Sequence, residues 1–310
     1  MAGPVGVLDP GARNSITDVP GVRVGHSQAE SGERCGVSVI DPPELPATAG
    51  VAVVNGTGVL NAYLEIDEVG FMRTPVYLCG THAVGTVVQA AITESGHGPQ
   101  DVVIPVVGEC DDGDLGDSRT VTAGDVARAI EALGTDVAEG SVGAGTGMQL
   151  FDFPGGIGTA SRAVGGHHVG VLLLCNFGDR ERLDLLGTTL PPAERGTAAD
   201  GSCIAVCATD APLDAQQLRR LALRPLLGLA RAGSYGGEGS GEIGLAFATG
   251  DDRSLRNSEL NGYFAAAYEA AHEAVLNSLV AARPAERLDG TMQDAFPLDE
   301  VRRLARERAG

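Results

Sequence analysis

Residues 201–210 read Gly-Ser-Cys-Ile-Ala-Val-Cys-Ala-Thr-Asp, and they give the clearest indication of the fold class. The residues from 203 to 208 are all apolar, without the alternation of a strand that has one face in water. Residues 169–174, Val-Gly-Val-Leu-Leu-Leu, show the same pattern. Strands of this kind have both faces covered. The sequence therefore predicts sheets sandwiched between helices rather than an open antiparallel sheet.

Short apolar runs alternate with longer helical patterns along the rest of the chain. This alternation is typical of the α/β class. At 310 residues, 43% of them hydrophobic, the chain is long enough for one large domain or two smaller ones. Strands are predicted at residues 21–24, 36–40, 51–54, 102–107, 169–174, 203–208 and 243–248. Helices are predicted at residues 83–95, 123–133, 213–232, 259–282 and 299–309.

The charge of the chain argues against several classes of partner. The formal net charge is -19, and all 22 basic residues are arginine. Phosphate backbones and anionic lipids repel such a chain, so neither nucleic acid nor membrane is an expected partner. No apolar run approaches the ~20 residues that span a bilayer, and no secretory signal is recognisable at the start. Six cysteines in a chain of this length do not make a disulfide framework, so we expect a reduced, cytoplasmic protein.

The bond between Gly201 and Ser202 has two interpretations. In most proteins a serine at the head of a strand only caps or turns the chain. Here the linker-like residues 187–200 (GTTLPPAERGTAAD) end directly at this bond, which is the layout that a maturation site needs. Attack of the Ser202 hydroxyl on the Gly201 carbonyl, followed by cleavage, would leave a free α-amine with a pKa of about 8. That amine would suit a general base for its own hydroxyl.

Three further groups could support acyl transfer. Ser240 and Glu242 lie two apart at a strand entrance and share one face, although the surrounding glycines also fit a flexible turn. Asn176 ends an apolar strand, either as a turn residue or as an amide donor to a developing oxyanion. Glu109 opens the acidic loop 109–117, which is either solvated or holds a substrate ammonium through Glu109. The residue order of a calcium loop is absent, and no metal or dinucleotide site is predicted.

Several short motifs, taken in order, resemble the self-processing aminopeptidases of peptidase family S58, which include the L-aminopeptidase/D-Ala-esterase and the β-peptidyl aminopeptidases. They cover nearly the whole chain, and their order and number make the resemblance specific. The motifs are residues 14–26 (NSITDVPGVRVGH), 81–85 (THAVG), 106–109 (VVGE), 140–148 (GSVGAGTGM), 155–159 (GGIGT), 176–178 (NFG), 201–202 (GS), 208–212 (ATDAP) and 239–242 (GSGE).

The resemblance implies an α/β fold of the αββα four-layer sandwich type found in the L-aminopeptidase/D-Ala-esterase and ornithine acetyltransferases. It implies one domain, residues 1–310, cut into an α piece, 1–201, and a β piece, 202–310, which stay associated. The residues that match the family's site are Ser202 as nucleophile, Ser240 and Glu242 as its support, Asn176 as oxyanion donor and Glu109 as the acid that receives the substrate amine.

The implied activity is that of a serine hydrolase acting on short peptides, amino-acid amides or esters with a free amine. No metal or organic cofactor is implied, and an oligomer is expected because relatives often form homotetramers. Two alternatives stay open: acyl transfer to an amine instead of water, and a catalytically silent member with a binding or assembly role. The second is suggested by Pro154, where relatives commonly carry lysine, and by the acidic loop after Glu109.

Overall fold

Two β-sheets pack face to face, and helices cover the outer side of each sheet. The computed structural model describes residues 5–32, 34–185, 190, 201–250, 254–299 and 301–303. Most of the predicted linker and the end of the predicted last helix lie outside these residues.

The strands and helices are numbered in chain order. The strands are β1 (Arg23–Gln28), β2 (Gly36–Asp41), β3 (Ala47–Gly56), β4 (Phe71–Met72), β5 (Val76–Gly80), β6 (Val106–Cys110), β7 (Gln149–Leu150), β8 (Phe153–Pro154), β9 (Gly156–Val164), β10 (His167–Asn176), β11 (Ser202–Thr209), β12 (Gly241–Ala248), β13 (Ala285–Glu286) and β14 (Met292–Gln293). The helices are α1 (Tyr63–Val69), α2 (Val84–Glu94), α3 (Ala123–Glu131), α4 (Ala215–Ala232) and α5 (Leu260–Ala281).

The two sheets differ in size and both are mixed. One has four strands in the order β1-β2-β5-β6, and the other has six in the order β4-β3-β12-β11-β10-β9. The β5–β6 and β11–β12 pairs are parallel, and the remaining neighbours are antiparallel. The strand that carries residues 202–209 therefore lies inside the larger sheet, between β12 and β10.

The burial of β10 and β11 explains their unbroken apolar sequence. Leu172 and Ile204 belong to the core between the two sheets, whereas Leu173 and Cys203 belong to the core under α4 and α5. Each buried aliphatic side chain contributes about 1.5–3 kcal/mol to the free energy of folding. A third core lies between the smaller sheet and helices α2 and α3. The predicted αββα four-layer architecture is confirmed.

The predicted helices begin and end for local reasons. The Asp214 side chain accepts a hydrogen bond from the Gln217 backbone N–H at 2.8 Å and caps α4. This helix continues through Pro225 and ends at Gly233, which has a φ of 122°. Thr122 is the N-cap residue of α3, and its backbone N–H donates to the Asp125 carboxylate at 2.7 Å. No helix in the described parts of the chain is long and apolar enough to cross a membrane.

Candidate active site

The register of three neighbouring strands brings the predicted site residues to one edge of the larger sheet. Ser202 is the first residue of β11, and it pairs with Asn176, the last residue of the antiparallel strand β10. On its other side Ser202 pairs with Gly241, the first residue of the parallel strand β12. Ser202 is only 6% exposed. The end of β10 and the starts of β11 and β12 therefore meet at Ser202.

Gly201 occupies a position that no larger residue fits. Its carbonyl oxygen accepts a hydrogen bond from the Gly241 backbone N–H at 3.0 Å. A Cβ atom at position 201 would lie 2.4 Å from the Asn176 carbonyl oxygen and 2.6 Å from the Phe177 Cα atom. Glycine is needed here because the neighbouring backbone approaches so closely. The carbonyl that precedes Ser202 is thus fixed and polarised.

Ser240 and Glu242 are in direct contact. The Ser240 hydroxyl donates to Glu242 Oε1 at 2.5 Å, and both side chains are buried. Burial raises the pKa of Glu242, and the bond from Ser240 partly opposes this shift. The glycine-rich loop before them is tied down, because the Asn55 side chain donates to the Glu238 carbonyl at 3.2 Å. This geometry favours the predicted hydroxyl–carboxylate pair over a plain flexible turn.

The side-chain amide of Asn176 has a fixed orientation. Its Oδ1 atom accepts a hydrogen bond from the Gln149 backbone N–H at 2.9 Å. Gln149 belongs to the short hairpin β7–β8, in which Pro154 lies opposite it. Because Oδ1 is held, Nδ2 is the end of the amide that can donate to another group. The amide of Asn176 is thus held on its oxygen side, next to its strand partner Ser202.

The two-residue turn of this hairpin has an unusual backbone. Phe151 and Asp152 have φ values of 51° and 58°, in the left-handed region, and both are buried. Positive φ is uncommon for a bulky side chain, and such residues cost about 1–3 kcal/mol each. Contacts with neighbouring residues must therefore stabilise the left-handed backbone of this turn, which Phe151 and Asp152 do not favour by themselves.

Glu109 comes from the smaller sheet and reaches the same edge. Its Oε1 atom accepts a hydrogen bond from the Val59 backbone N–H at 2.8 Å, and Oε2 accepts one from the Thr81 hydroxyl. Gly58 lies between the two sheets here: a Cβ on it would be 3.3 Å from Glu109 Oε1 and 3.7 Å from the Gly241 Cα atom. Glu109 is 4% exposed. The structure therefore places this carboxylate near the start of β12, beside the partner of Ser202.

Most of the acids that follow Glu109 are bonded to other side chains of the protein. Asp114 forms an ion pair with Arg287 at 2.9 Å, and Asp117 forms one with Arg119 at 2.6 Å. The buried Asp112 accepts a hydrogen bond from the Ser118 hydroxyl at 3.0 Å. No group of three or more potential metal ligands occurs within the described residues. Ion pairs and hydrogen bonds within the protein thus account for most of the negative charge of these acids.

Two thiols near Ser202 are poor competitors for a nucleophilic role. Burial raises the pKa of Cys110 well above its usual value, although a hydrogen bond with the Ser202 side chain partly opposes this. Burial also raises the pKa of Cys203, and its cross-strand neighbour Cys175 adds to the effect. Both thiols stay protonated at neutral pH, and the thiol is the unreactive form. Ser202 is the better candidate.

Sequence reasoning missed the groups that hold the site residues in place. The Val59 and Gln149 backbone N–H groups have no residue-type signal, because every residue except proline carries one. Thr81 belongs to the motif at residues 81–85, but its residue type alone does not indicate a contact with Glu109. Its proximity to Glu109 is a consequence of the β5–β6 pairing, in which Gly80 lies opposite Cys110.

Comparison with known proteins places these observations in a family. The model of peptidase family S58 matches residues 14–293. The β-peptidyl aminopeptidase BapA of Sphingosinicella microcystinivorans is 36% identical, over 96% of this chain and 89% of its own length. A Burkholderia sp. β-aminopeptidase structure superposes with a TM-score of 0.89 at 37% identity, covering 98% of this chain and 96% of its own.

A third similar protein bears on the fold. The L-aminopeptidase D-Ala-esterase/amidase from Ochrobactrum anthropi, described as a prototype of the serine aminopeptidases with a variant of the Ntn-hydrolase fold, superposes with a TM-score of 0.87. It is 32% identical and is covered over 96% of its length, against 98% of this chain. The resemblance inferred from the motifs is confirmed, and the chain belongs to peptidase family S58 as an aminopeptidase-like hydrolase.

Proposed function

We propose that the chain cleaves itself between Gly201 and Ser202, and that the matured protein hydrolyses short peptides, amino-acid amides or esters that carry a free amine. The pieces would be residues 1–201 and 202–310, held together as one domain. One observation carries the proposal: the register that places Ser202 between Asn176 and Gly241, next to the bonded pair of Ser240 and Glu242.

Maturation would begin with attack of Ser202 Oγ on the carbonyl carbon of Gly201. The Gly241 N–H, 3.0 Å from that carbonyl oxygen, is placed to stabilise the negative charge that develops there. Collapse of the intermediate breaks the C–N bond and leaves Gly201 as an ester on Oγ, with the Ser202 nitrogen as a free amine. Water then hydrolyses the ester and releases the Gly201 carboxylate.

Turnover would reuse the same hydroxyl. The α-amine of Ser202, with an ordinary pKa of about 8, accepts the hydroxyl proton while Oγ attacks the substrate carbonyl. The Asn176 Nδ2 group donates to the oxyanion. The Ser240–Glu242 pair flanks Gly241, the strand partner of Ser202, and orients the amine. The leaving group takes the proton, and water hydrolyses the acyl-enzyme to complete the cycle.

The free amine of the substrate is the group that Glu109 would recognise. Its carboxylate is buried near Gly241, and both oxygens still have lone pairs available beyond the bonds from Val59 and Thr81. A buried carboxylate favours a cationic partner, and the ammonium of the substrate would supply that positive charge. The names of the similar proteins support this class, since one is a β-peptidyl aminopeptidase and another an L-aminopeptidase D-Ala-esterase/amidase.

The family resemblance also supports a homotetramer, and the reduced cysteines support a cytoplasmic location. All six cysteines are free and buried, as is typical of a reducing compartment. Light scattering on the purified protein measures the subunit number.

A panel of amino-acid p-nitroanilides tests the proposed activity. We expect release of p-nitroaniline from compounds with a free amine and little or none from their N-acetyl counterparts. Ser202→Ala is the matched control and is expected to be inactive. Equal hydrolysis of free and acetylated compounds would contradict the assignment of Glu109, and an active Ser202→Ala would contradict that of the nucleophile.

A further inference from the structure

The strained turn in the hairpin β7–β8 lies beside the proposed oxyanion donor. Its two residues, Phe151 and Asp152, adopt the left-handed backbone of a type I′ turn, which usually selects asparagine and glycine. Both residues are buried, so contacts with water do not stabilise this backbone conformation. Strain of this kind persists only where neighbouring groups hold it, and it concentrates at functional sites.

One set of neighbours belongs to the segment that follows Asn176. The Phe151 backbone N–H donates to the Phe177 carbonyl at 2.9 Å, and the two rings meet edge to face with centroids 5.4 Å apart. The Asp152 carboxylate accepts from the Arg180 backbone N–H at 3.0 Å, and the Asp152 carbonyl accepts from the Arg180 guanidinium at 3.0 Å. The turn is therefore docked onto the chain immediately after the oxyanion donor.

A second set comes from a distant part of the sequence. The side-chain Nε2 of Gln293, in β14, donates to Gln149 Oε1 at 2.8 Å and to the Asp152 carbonyl at 3.0 Å. One NH₂ group thus ties together the first strand of the hairpin and its turn. Gln293 is 4% exposed, and its Oε1 has no hydrogen-bond partner among the residues that the structure describes. Its donor hydrogens, not its acceptor, make the contacts.

We propose that Gln293 is a positioning residue for Asn176, acting through Gln149. Gln293 fixes the Gln149 strand, the Gln149 backbone N–H fixes Asn176 Oδ1 at 2.9 Å, and Nδ2 is thereby directed to the carbonyl oxygen of the substrate. The inference rests on the proposed role of Asn176. Because the oxyanion forms only in the transition state, loss of this alignment lowers kcat and leaves KM unchanged.

Two single variants test the link from its opposite ends. Gln293→Met keeps the side-chain length and removes both donors, and Gln149→Met removes the acceptor but keeps the backbone N–H that holds Asn176. Gln149 is only partly buried, so its variant is expected to fold even if the first does not. We expect about a tenfold loss of kcat for each variant on an amino-acid p-nitroanilide, with KM unchanged. Rates are normalised to the matured fraction seen on a denaturing gel.

Arg287→Met is the matched control on the same C-terminal segment. It removes the ion pair with Asp114 and leaves the Gln149 contact intact, and kcat is expected to change less than twofold.

The most informative measurement is on the double variant that combines Asn176→Ala with Gln149→Met. Asn176→Ala alone is expected to lower kcat by about 10²–10³, as for loss of an oxyanion donor, and adding Gln149→Met should cause no further loss. An unchanged kcat in the folded single variants would overturn the link while leaving the role of Asn176 intact. A tenfold loss that persists in the Asn176→Ala background would overturn it too. An Asn176→Ala enzyme with full kcat would overturn the oxyanion role and the inference together.

Discussion

Each of the two sheets brings one buried glutamate to the same edge of the molecule, and the two differ in what surrounds them. Glu242 belongs to the six-stranded sheet and accepts a hydrogen bond from the Ser240 hydroxyl at 2.5 Å. Glu109 comes from the four-stranded sheet and is held by the Val59 N–H and the Thr81 hydroxyl. The hydroxyl bonded to Glu242 belongs to Ser240, the residue before the strand partner of the proposed nucleophile Ser202. Among the described residues, the donors to Glu109 lie in the loop after β3 and directly after β5.

We infer from this difference that the two carboxylates have separate tasks. In the proposed mechanism Glu242, which is bonded to Ser240, acts on the rate of the chemical step. Glu109, which is held in place by its two donors, would act on which substrate binds. We therefore expect changes at Glu242 to appear in kcat and changes at Glu109 to appear in KM and in substrate choice.

The largest expected effect is at Glu242. Glu242→Gln keeps the shape and removes the charge that polarises Ser240, so kcat should fall by about 100-fold or more while KM changes little. Steady-state kinetics, normalised to matured enzyme, measures this. A variant that lost affinity and kept kcat would show that the two acids have exchanged roles.

Glu109→Gln should show the opposite signature. Loss of a buried charge that pairs with an ammonium costs about 2–5 kcal/mol, which corresponds to at least a 30-fold rise in KM for substrates with a free amine. The des-amino analogue of one such ester serves as the control: its kcat/KM is low in the wild type and should change less than twofold in the variant. An equal loss on the ester and on its des-amino analogue would contradict a role in amine recognition.

Thr81→Val tests how Glu109 is oriented. The substitution is nearly isosteric and removes the hydroxyl that donates to Glu109 Oε2. A hydrogen bond to a charged group is worth about 1.5–3 kcal/mol, so KM for amine substrates should rise about tenfold while kcat is kept. Thr81→Ser, which retains the hydroxyl, should restore the wild-type KM. A failure of serine to restore it would point to packing of the methyl group instead.

The pH dependence of kcat gives a smaller but specific signal. The Ser202 amine must be neutral, so log kcat should fall with a slope of about 1 below a pH of about 8. Glu242 must be ionised, and burial raises its pKa, so the slope should steepen to about 2 at a pH above the usual pKa of glutamate. Glu109→Gln should retain the steepening. A profile that stays at slope 1 down to pH 4 would contradict an ionised Glu242.

The layers of the fold could be predicted because apolar patterning is local. Successive side chains in the runs 169–174 and 203–208 point into two different cores, and both cores exclude water. Strand β9 (Gly156–Val164) was missed because its first residues, Gly-Ile-Gly, have a turn-like composition. Helix α1 (Tyr63–Val69) was also missed, since seven residues give too short a period to recognise.

The candidate site residues could be named from the sequence where the proposed function needs a particular residue type. The sequence singled out Ser202 and Asn176, and the strand register places them opposite each other. The contacts that orient them were not predictable, because they join residues far apart in the chain and use groups common to all residues. The Gln293–Gln149 bond spans 144 positions and has no local signal.

The proposed mechanism requires Ser202 to become the N-terminal residue of a separate piece. Intact-mass spectrometry of the purified protein under denaturing conditions shows whether the chain is cut there. We predict two masses that sum to the chain plus one water, with the break immediately before Ser202, and a single uncut mass for Ser202→Ala. A fully active wild-type protein that shows only the uncut mass would contradict the account.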